Sequence, residues 1–505
     1  MWIVVLTAFV IYWGIVELLK AKGILEKYNI TAIGPILMIR TQKGLNLLEK
    51  IAKPKKFWRI LANAGTPSIF IGMIFMFSLI LFMDYRLITT PPKPSPLTHP
   101  RNVLLIPGIN QYIPVVWGLI GLIVTLVVHE FSHGILCRVE GVKVKAMGIL
   151  LALLPIGGFA EPDEKELMDN KKTDRMQRIR IFSAGVISNF IVALIAFSVF
   201  FYLLGFISPL IVVRAVNENS PAYGIVQEGD VILSINNIEV KRIDDVSRAL
   251  KAGNPSLVIK YKHDDKIREV TLPKIVGVNV TSLYKENNKI YPAEKAGIKE
   301  GTIIFKINNT PTPTLKDFMD VMQKTKPNET IIVYAYSNGV IKTFNVSLAA
   351  SPTNSHGFLG VVVDEYISGM GLAYSDLFLK ELKNLPSKLT SINGWLFIMA
   401  MPFTFPGFSD AITKYFEGDI VVFYMLNTFY WIGWINFYVG LFNCLPAIPL
   451  DGGRVFHESL SAILVRKFGE RGKEIAATTI KLLALTIFSS IFLAILIPNL
   501  HGLIK

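Results

Sequence analysis

Long apolar stretches separated by charged segments dominate the hydrophobic pattern of the chain. Six of them are about 18 residues or longer and carry few charges, which is the length that an α-helix needs to cross a bilayer. We therefore expect a polytopic α-helical membrane protein with about six spans plus re-entrant elements. The stretches lie at about residues 2–19, 66–83, 113–138, 181–207, 420–448 and 474–498.

Two further apolar segments are too short or too broken to span. Residues 146–160 are interrupted by a proline and a glycine pair, and residues 393–408 by two prolines. We predict a re-entrant hairpin for the first segment and an interfacial or re-entrant element for the second, after an interfacial helix at 371–391. Non-helical backbone at membrane depth is tolerated only when protein covers it or when it lines a watery cavity. The hairpin should therefore border an active site.

Between residues 210 and 350 the pattern changes to alternating strands, turns and charged helices, which indicates a soluble insert. This insert contains an internal repeat, because QEGDVILSINN at 227–237 aligns with KEGTIIFKINN at 299–309. Each copy continues into a helical stretch and a hairpin. The insert resembles two α+β PDZ domains in tandem. Such domains receive an extended peptide or a C-terminus beside an exposed sheet edge, or here they could only cap or gate the membrane part.

Charge gives the orientation of the spans. The 505-residue chain has a formal net charge of +14, but its basic residues cluster beside apolar stretches, with ten Lys or Arg and two Glu between residues 20 and 59. This is typical of cytoplasmic loops that face anionic lipid, so we exclude nucleic acid as a partner. If successive spans cross the membrane in opposite directions, the insert lies on the extracytoplasmic side and the third span ends near the cytoplasmic face.

The third span contains HEFSH, with His129 and His133 one helical turn apart and Glu130 beside them. Residues at i and i+4 share a helix face, so the two rings can bind one metal while Glu130 acts as general base, as in zincins. A buried histidine is more often a packing residue. However, the chain has only seven histidines, and ionisable side chains inside a span are usually functional, which favours a metal site.

Catalytic zinc usually takes three protein ligands, so one ligand must come from elsewhere. Asp451 is the best candidate because it follows the broken end of the fifth span, in NCLPAIPLDGG, at about the same depth as the histidines. Taken alone, this aspartate and its two glycines would be read as a turn that closes a helix. Two histidines and a carboxylate suit Zn²⁺ best, although iron or cobalt could occupy such a set.

HEFSH in a span, the distant NCLPAIPLDGG and the PDZ-like repeats between them resemble the site-2 protease family of intramembrane zinc metalloproteases. The resemblance implies one Zn²⁺ per chain, held by His129, His133 and Asp451, with Glu130 activating water. It also implies that Asn443 contacts the substrate. The hairpin would engage the substrate as an added strand, through Gly157, Gly158 and Phe159.

These features predict regulated hydrolysis of transmembrane substrates in the lipid bilayer, with the PDZ-like pair binding peptide C-termini or gating access. A catalytically inactive zinc-binding scaffold is the alternative, and the intact Glu130 argues against it. Metal transport would require more intramembrane carboxylates or histidines. The expected divisions are an N-terminal two-span extension (1–110), the first protease part (111–207), two PDZ-like domains (208–275 and 276–366), an interfacial segment (367–419) and the second protease part (420–505).

Overall fold

The chain folds as two compact units in a computed structural model. One unit comprises residues 1–202, 399–407 and 424–505, and the other comprises residues 203–398 and 408–423. The structure describes residues 2–42, 45–90, 99–103, 106–152, 154–169, 171–251, 254–285, 290–337, 339–351 and 355–500.

Helices make up most of the first unit. In chain order, the α-helices of the described residues in both units are α1 (Trp2–Ala21), α2 (Ile24–Lys27), α3 (Leu45–Ala52), α4 (Lys55–Thr89), α5 (Pro100–Val103), α6 (Val115–Glu140), α7 (Glu164–Met168), α8 (Arg175–Leu203), α9 (Ile243–Lys251), α10 (Pro292–Lys295), α11 (Leu315–Gln323), α12 (Ser375–Lys383), α13 (Ile392–Thr404), α14 (Asp410–Thr413), α15 (Ile420–Asn443), α16 (Asp451–Phe468) and α17 (Arg471–Leu500).

Strands form one four-stranded sheet in the first unit, and one 12-stranded sheet and two two-stranded sheets in the second. In chain order, they are β1 (Ile30–Ile33), β2 (Ile36–Thr41), β3 (Val144–Ala152), β4 (Leu154–Pro162), β5 (Ser208–Pro209), β6 (Ile211–Val216), β7 (Val231–Ile235), β8 (Ile238–Glu239), β9 (Ser256–His263), β10 (Lys266–Pro273), β11 (Val276–Leu283), β12 (Ile303–Ile307), β13 (Thr310–Pro311), β14 (Thr330–Ser337), β15 (Val340–Ser347), β16 (Ala349–Ala350), β17 (Gly357–Phe358), β18 (Val361–Ile367), β19 (Met370–Tyr374) and β20 (Phe416–Glu417).

Five of the described helices are long and apolar enough to cross a membrane, which agrees with five of the six predicted spans. The sixth predicted span, residues 2–19, coincides with α1, which is not among the five. Helix α13 has 13 residues, which is shorter than the roughly 20 that a span needs. The five helices are Lys55–Thr89, Val115–Glu140, Arg175–Phe206, Ile420–Asn443 and Arg471–Asn499.

Helices α4, α6 and α8 pack around one apolar core in the first unit. Fully buried members of that core include Leu48, Ile69 and Val186. Glycines allow the helices to approach closely, since a Cβ at Gly121 of α6 would lie 2.8 Å from the backbone oxygen of Trp431 in α15. Helix α6 ends at Gly141, whose φ of 88° lies in the left-handed region that glycine adopts without strain.

The predicted hairpin at 146–160 is an antiparallel pair, β3 and β4. It belongs to a four-stranded sheet in the order β1-β2-β3-β4, so β4 is an edge strand of that sheet. Strands β1 and β2 come from the basic segment after α1, where the hydrophobic pattern predicted only a cytoplasmic loop. Across β2, β3 and β4, Arg40 lies opposite Gly148, and Gly148 lies opposite Phe159.

The second unit contains a 12-stranded sheet with two separate apolar cores. Strands β7 and β8, helix α9 and strands β9 and β10 follow one another in the same order as β12, β13, α11, β14 and β15. The β18–β19 hairpin joins the two groups, because β18 pairs with β11 and β19 pairs with β6. The stretch 371–391 therefore begins in a strand, contrary to the predicted interfacial helix, and helix α12 covers only Ser375–Lys383. Long-range strand pairing overrides the local helical pattern there.

Candidate metal centre

The two histidines of HEFSH and Asp451 converge in the first unit. Nε2 of His129 and Nε2 of His133 each lie 3.2 Å from Oδ2 of Asp451, and the two Nε2 atoms are 3.3 Å apart. The helical spacing brings the two rings to one face of α6, as predicted. Asp451 is the first residue of α16 and is buried. Three donor atoms thus form a nearly equilateral triangle.

This triangle fits a tetrahedral zinc ion. Nitrogen and oxygen ligands bind zinc at about 2.0–2.2 Å, so two ligands of a tetrahedral ion lie about 3.3 Å from each other. The three observed separations agree with that value, and the three donors leave the fourth position open, as in catalytic zinc sites. Among the described residues, His129, His133 and Asp451 are the group of three that could hold a metal ion.

Helix α8 sets the orientation of both rings. Nδ1 of His133 donates a hydrogen bond to the carbonyl oxygen of Ile181, at 2.7 Å, which leaves the lone pair of Nε2 free for a metal. Nδ1 of His129 lies 3.1 Å from Nδ2 of the fully buried Asn189, whose Oδ1 has no partner among the described residues. Turning this amide by 180° lets Oδ1 accept the Nδ1 proton of His129, which frees Nε2 of that ring as well.

Gly185 makes room for the two rings. A Cβ at this position would lie 2.5 Å from Cε1 of His129 and 2.5 Å from Nε2 of His133, and real side chains do not approach that closely. Gly185 and Asn189 are four residues apart in the fourth predicted span, a spacing that puts both on one face of a helix. The structure shows that this face packs on the two histidines predicted to bind the metal. No sequence signal, however, could identify the Ile181 carbonyl, since every residue has one.

The broken end of the fifth span presents Asp451. Helix α15 ends at Asn443 and α16 begins at Asp451. Gly452 and Gly453 are required for this tight return, because a Cβ on Gly452 would meet the backbone oxygen of Cys444 at 2.2 Å and one on Gly453 would meet the Ala447 backbone carbon at 2.5 Å. The side chain of Asn443 donates to the carbonyl oxygen of Val439, and its backbone oxygen lies against Gly452.

Glu130 faces the β3–β4 hairpin. Its Oε2 accepts a hydrogen bond from the backbone N–H of Ala160 at 2.9 Å. Gly158 packs directly on this side chain, since a Cβ there would lie 2.7 Å from Cγ of Glu130. Gly157 instead packs beside Leu150, and Phe159 crosses Gly148. Of the three predicted substrate residues on the hairpin, the structure therefore brings Gly158 into contact with the predicted base.

A sequence model of peptidase family M50 matches residues 117–487 of the chain, which include all four residues of the predicted metal and base set. The chain belongs to peptidase family M50. This is the site-2 protease family that the motifs resemble, so the predicted family is confirmed. Together with the five long apolar helices, family membership indicates a multi-pass membrane protein.

Individual relatives agree with this family. Over 270 residues the chain is 32% identical to an uncharacterised protein of Methanocaldococcus jannaschii, which covers 52% of this chain and 68% of that protein. Over 216 residues it is 28% identical to a Clostridium acetobutylicum protein named as a candidate zinc metalloprotease. That alignment covers 36% of this chain and 62% of the relative. Over 449 residues it is 24% identical to the regulator of sigma E protease of Haemophilus influenzae. That alignment covers 74% of this chain and 96% of the relative. The chain thus spans about two thirds of the length of the first two relatives.

Proposed function

We propose that this member of family M50 is a zinc metalloprotease that hydrolyses peptide bonds within or beside transmembrane helices of membrane-protein substrates. The observation that carries the proposal is the convergence of His129, His133 and Asp451 to mutual distances of 3.2–3.3 Å, with Glu130 on the same helix as the histidines. A metal site that served only structure would not need this carboxylate.

Each group of the site has a separate role in the proposed reaction. When bound, zinc supplies an electrophile for the scissile carbonyl and acidifies a water molecule. Glu130 accepts the proton of that water and delivers it to the leaving amine nitrogen. The N–H of Ala160 holds one carboxylate oxygen of Glu130, so the other oxygen can face the water. The Ile181 carbonyl and the Asn189 amide keep both imidazoles aimed at the metal.

Edge strand β4 is suited to receive the substrate backbone. A transmembrane helix hides its carbonyls in internal hydrogen bonds, so it must unwind before cleavage, and an unwound segment in lipid needs new backbone partners. Strand β4 pairs only with β3 among the described strands, and its Gly158 contacts Glu130. An extended substrate segment added beside β4 would therefore pass the base. Asn443, at the end of α15, is proposed to contact the same segment.

The sheet-rich unit is proposed to be a tandem pair of PDZ-like domains that gates access or binds peptide ends. Two features support an internal repeat. The order of elements recurs, and each group makes the same helix cap: Leu315 N–H donates to Glu365, and Ile243 N–H donates to Asp376. Strand β18 pairs with β19 only at Tyr366 and Ile367 among the described strands, so its residues before these could accept a peptide strand.

The charge distribution supports an orientation for the proposed protease. The basic segments at residues 20–59 and after Asp451 would face the cytoplasm. The metal centre would then lie near the cytoplasmic side, and the sheet-rich unit would lie outside the cytoplasm. Regulated intramembrane proteolysis, with trimmed substrates admitted past the PDZ-like pair, is consistent with that arrangement.

A cleavage assay with a single-pass membrane reporter tests the activity. We expect the purified native protein to cut the reporter, and Glu130→Gln or a zinc chelator to abolish cutting, because glutamine keeps the shape but cannot accept a proton. Glu164→Gln changes an exposed carboxylate of α7 and serves as the matched control. If Glu130→Gln cut as well as the native protein, this mechanism would be wrong. If the native protein cut none of several trimmed reporters, the zinc-binding scaffold would be favoured instead.

A further inference from the structure

Half of the small sheet that holds Glu130 comes from outside the family match. The match begins at residue 117, whereas β1 and β2 comprise residues 30–33 and 36–41. Strand β2 pairs with β3 along five residue pairs, from Leu37 to Thr41. Helix α1 adds a further contact, because the hydroxyl of Tyr12 donates to the carbonyl oxygen of Leu151 in β3. The N-terminal extension is therefore built into the hairpin that faces the active site.

Arg40 of β2 reaches across β3 to the edge strand. It lies in register with Gly148 of β3, which lies in register with Phe159 of β4. Gly148 leaves room for the ring of Phe159 to lie over β3, since a Cβ there would lie 2.3 Å from Cζ of Phe159. The ring of Phe159 fills that space, and the guanidinium carbon of Arg40 lies 5.9 Å from the ring centroid, within range of a cation–π interaction.

The same guanidinium also binds a carboxylate on β4. Nε of Arg40 lies 3.2 Å from Oε2 of Glu161, and Nη1 donates to Oγ1 of Thr31 in β1 at 2.6 Å. Arg40 thus contacts the side chains of Phe159 and Glu161, which lie on either side of Ala160. Because successive side chains of a strand point to opposite faces, these two side chains lie on one face of the sheet and that of Ala160 on the other.

We propose that Arg40 is a positioning residue for the catalytic base. By holding the residues before and after Ala160, it fixes the rotation of the peptide group whose N–H binds Oε2 of Glu130. The N-terminal extension would in this way act on the chemical step without contributing a group to it. This inference rests on the proposed protease function, while the coupling from Arg40 to β4 can be measured separately.

Steady-state cleavage of the reporter tests the effect on the base. In Arg40→Ala we expect kcat to fall about tenfold, because a small misplacement of a catalytic group has a large effect on rate. KM should stay within about twofold, since the backbone of β4 remains available to the substrate. Arg40→Lys retains the charge but not the forked contacts with Glu161 and Thr31, so it should recover only part of the rate. Zinc content should equal that of the native protein in both variants.

Lys388→Ala is the matched control. Lys388 contacts the carboxylate of Glu381 at 3.1 Å and lies 4.5 Å from the ring centroid of Phe397, so it makes the same two kinds of contact as Arg40. It belongs to the second unit, in residues 203–398. Native kcat and KM are expected for this variant.

Amide hydrogen exchange of the zinc-loaded protein tests the coupling without using proteolysis. In Arg40→Ala we expect the peptide covering 157–162 to exchange about tenfold faster than in the native protein, while exchange in α6 is unchanged. Faster exchange together with lower kcat would support the proposal. Unchanged exchange in β4, loss of zinc in Arg40→Ala, or a native kcat would overturn it. If the native protein cut no reporter, the protease function would fail, and the exchange result would still decide whether Arg40 holds β4.

Discussion

The carbonyl oxygen of Ile181 lies 2.7 Å from Nδ1 of His133, so helix α8 orients a candidate metal ligand without contributing one. Asn189, about two turns further along α8, places its side-chain amide 3.1 Å from Nδ1 of His129. Both imidazoles of the candidate metal centre are thus contacted by a single neighbouring helix. The affinity of the centre for zinc should therefore depend on α8 as much as on the ligands themselves.

Gly185→Ala should prevent zinc binding. The added Cβ would lie 2.5 Å from atoms of both imidazoles, so at least one ring must leave its position. We expect zinc affinity to fall by about 100-fold or more, measured as zinc per chain after dialysis against a competing chelator. Gly205→Ala is the control, because a Cβ there would have nothing within 4 Å among the described residues. Native zinc content in Gly185→Ala would contradict the packing described for the centre.

Asn189→Leu should weaken zinc binding without removing a ligand. Leucine has a similar size but cannot orient Nδ1 of His129, so we expect affinity to fall about 10- to 100-fold. The comparison variant is Ser188→Ala on the same helix, whose hydroxyl donates to the carbonyl of Gly185 and does not contact a ligand directly. Competition titration with a zinc-binding dye measures both variants. Equal affinities would show that Asn189 only fills space.

Gly158→Ala should slow cleavage while zinc is retained. The new Cβ would lie 2.7 Å from Cγ of Glu130 and would push the base away from the water that it deprotonates. We expect kcat to fall about 10- to 100-fold, with native metal content. Gly205→Ala provides the contrast, because a Cβ there would have nothing within 4 Å among the described residues. A native kcat in Gly158→Ala would show that the packing of the hairpin on Glu130 does not affect the catalytic step.

Breaking the Arg178–Glu458 ion pair should destabilise the first unit. Nη2 of Arg178 lies 3.0 Å from Oε2 of Glu458, and their side chains are 6% and 9% exposed. Arg178→Met leaves the buried Glu458 carboxylate with the longer and more exposed contact to Arg175, at 3.8 Å. We therefore expect the free energy of unfolding to fall by about 3 kcal/mol. The double variant with Glu458→Met should recover most of that loss, as chemical unfolding in detergent would show.

Lys145→Met is the control for that experiment. Its ion pair with Asp163 is 3.5 Å long and more exposed, and such pairs contribute about 0–1 kcal/mol. If Arg178→Met were no more destabilising than this surface change, the buried pair would have no structural role. If the double variant were as unstable as the single ones, the loss would come from packing rather than from charge.

The candidate metal ligands and the candidate base could be predicted from the sequence because their chemistry depends on local spacing, and the structure brings the three candidate ligands together. His129, Glu130 and His133 lie within one helical turn, and Asp451 follows a segment that prolines and glycines mark as broken. The long apolar runs likewise predict five of the helices, since length and composition decide that property. These inferences needed no knowledge of which elements meet in space.

The remaining features depend on contacts between distant segments. Nothing in the residues around Arg40 indicates that they form a strand beside β3, more than a hundred positions later. Strand β19 was predicted as part of a helix for the same reason, since its partner β6 lies in another part of the sequence. The hydrogen bonds from Ala160 and to Ile181 use backbone groups, which every residue carries and which therefore leave no signal in the sequence.

Asp451 follows His133 by 318 residues, and the whole sheet-rich unit lies between them in the chain. During synthesis, a nascent chain that ends before Asp451 has Glu130 and both histidines but only two of the three predicted metal ligands. Such an intermediate lacks a complete zinc site even after α6 has entered the membrane. The order of the predicted ligands along the chain therefore delays completion of the candidate metal centre until the sheet-rich unit has been made.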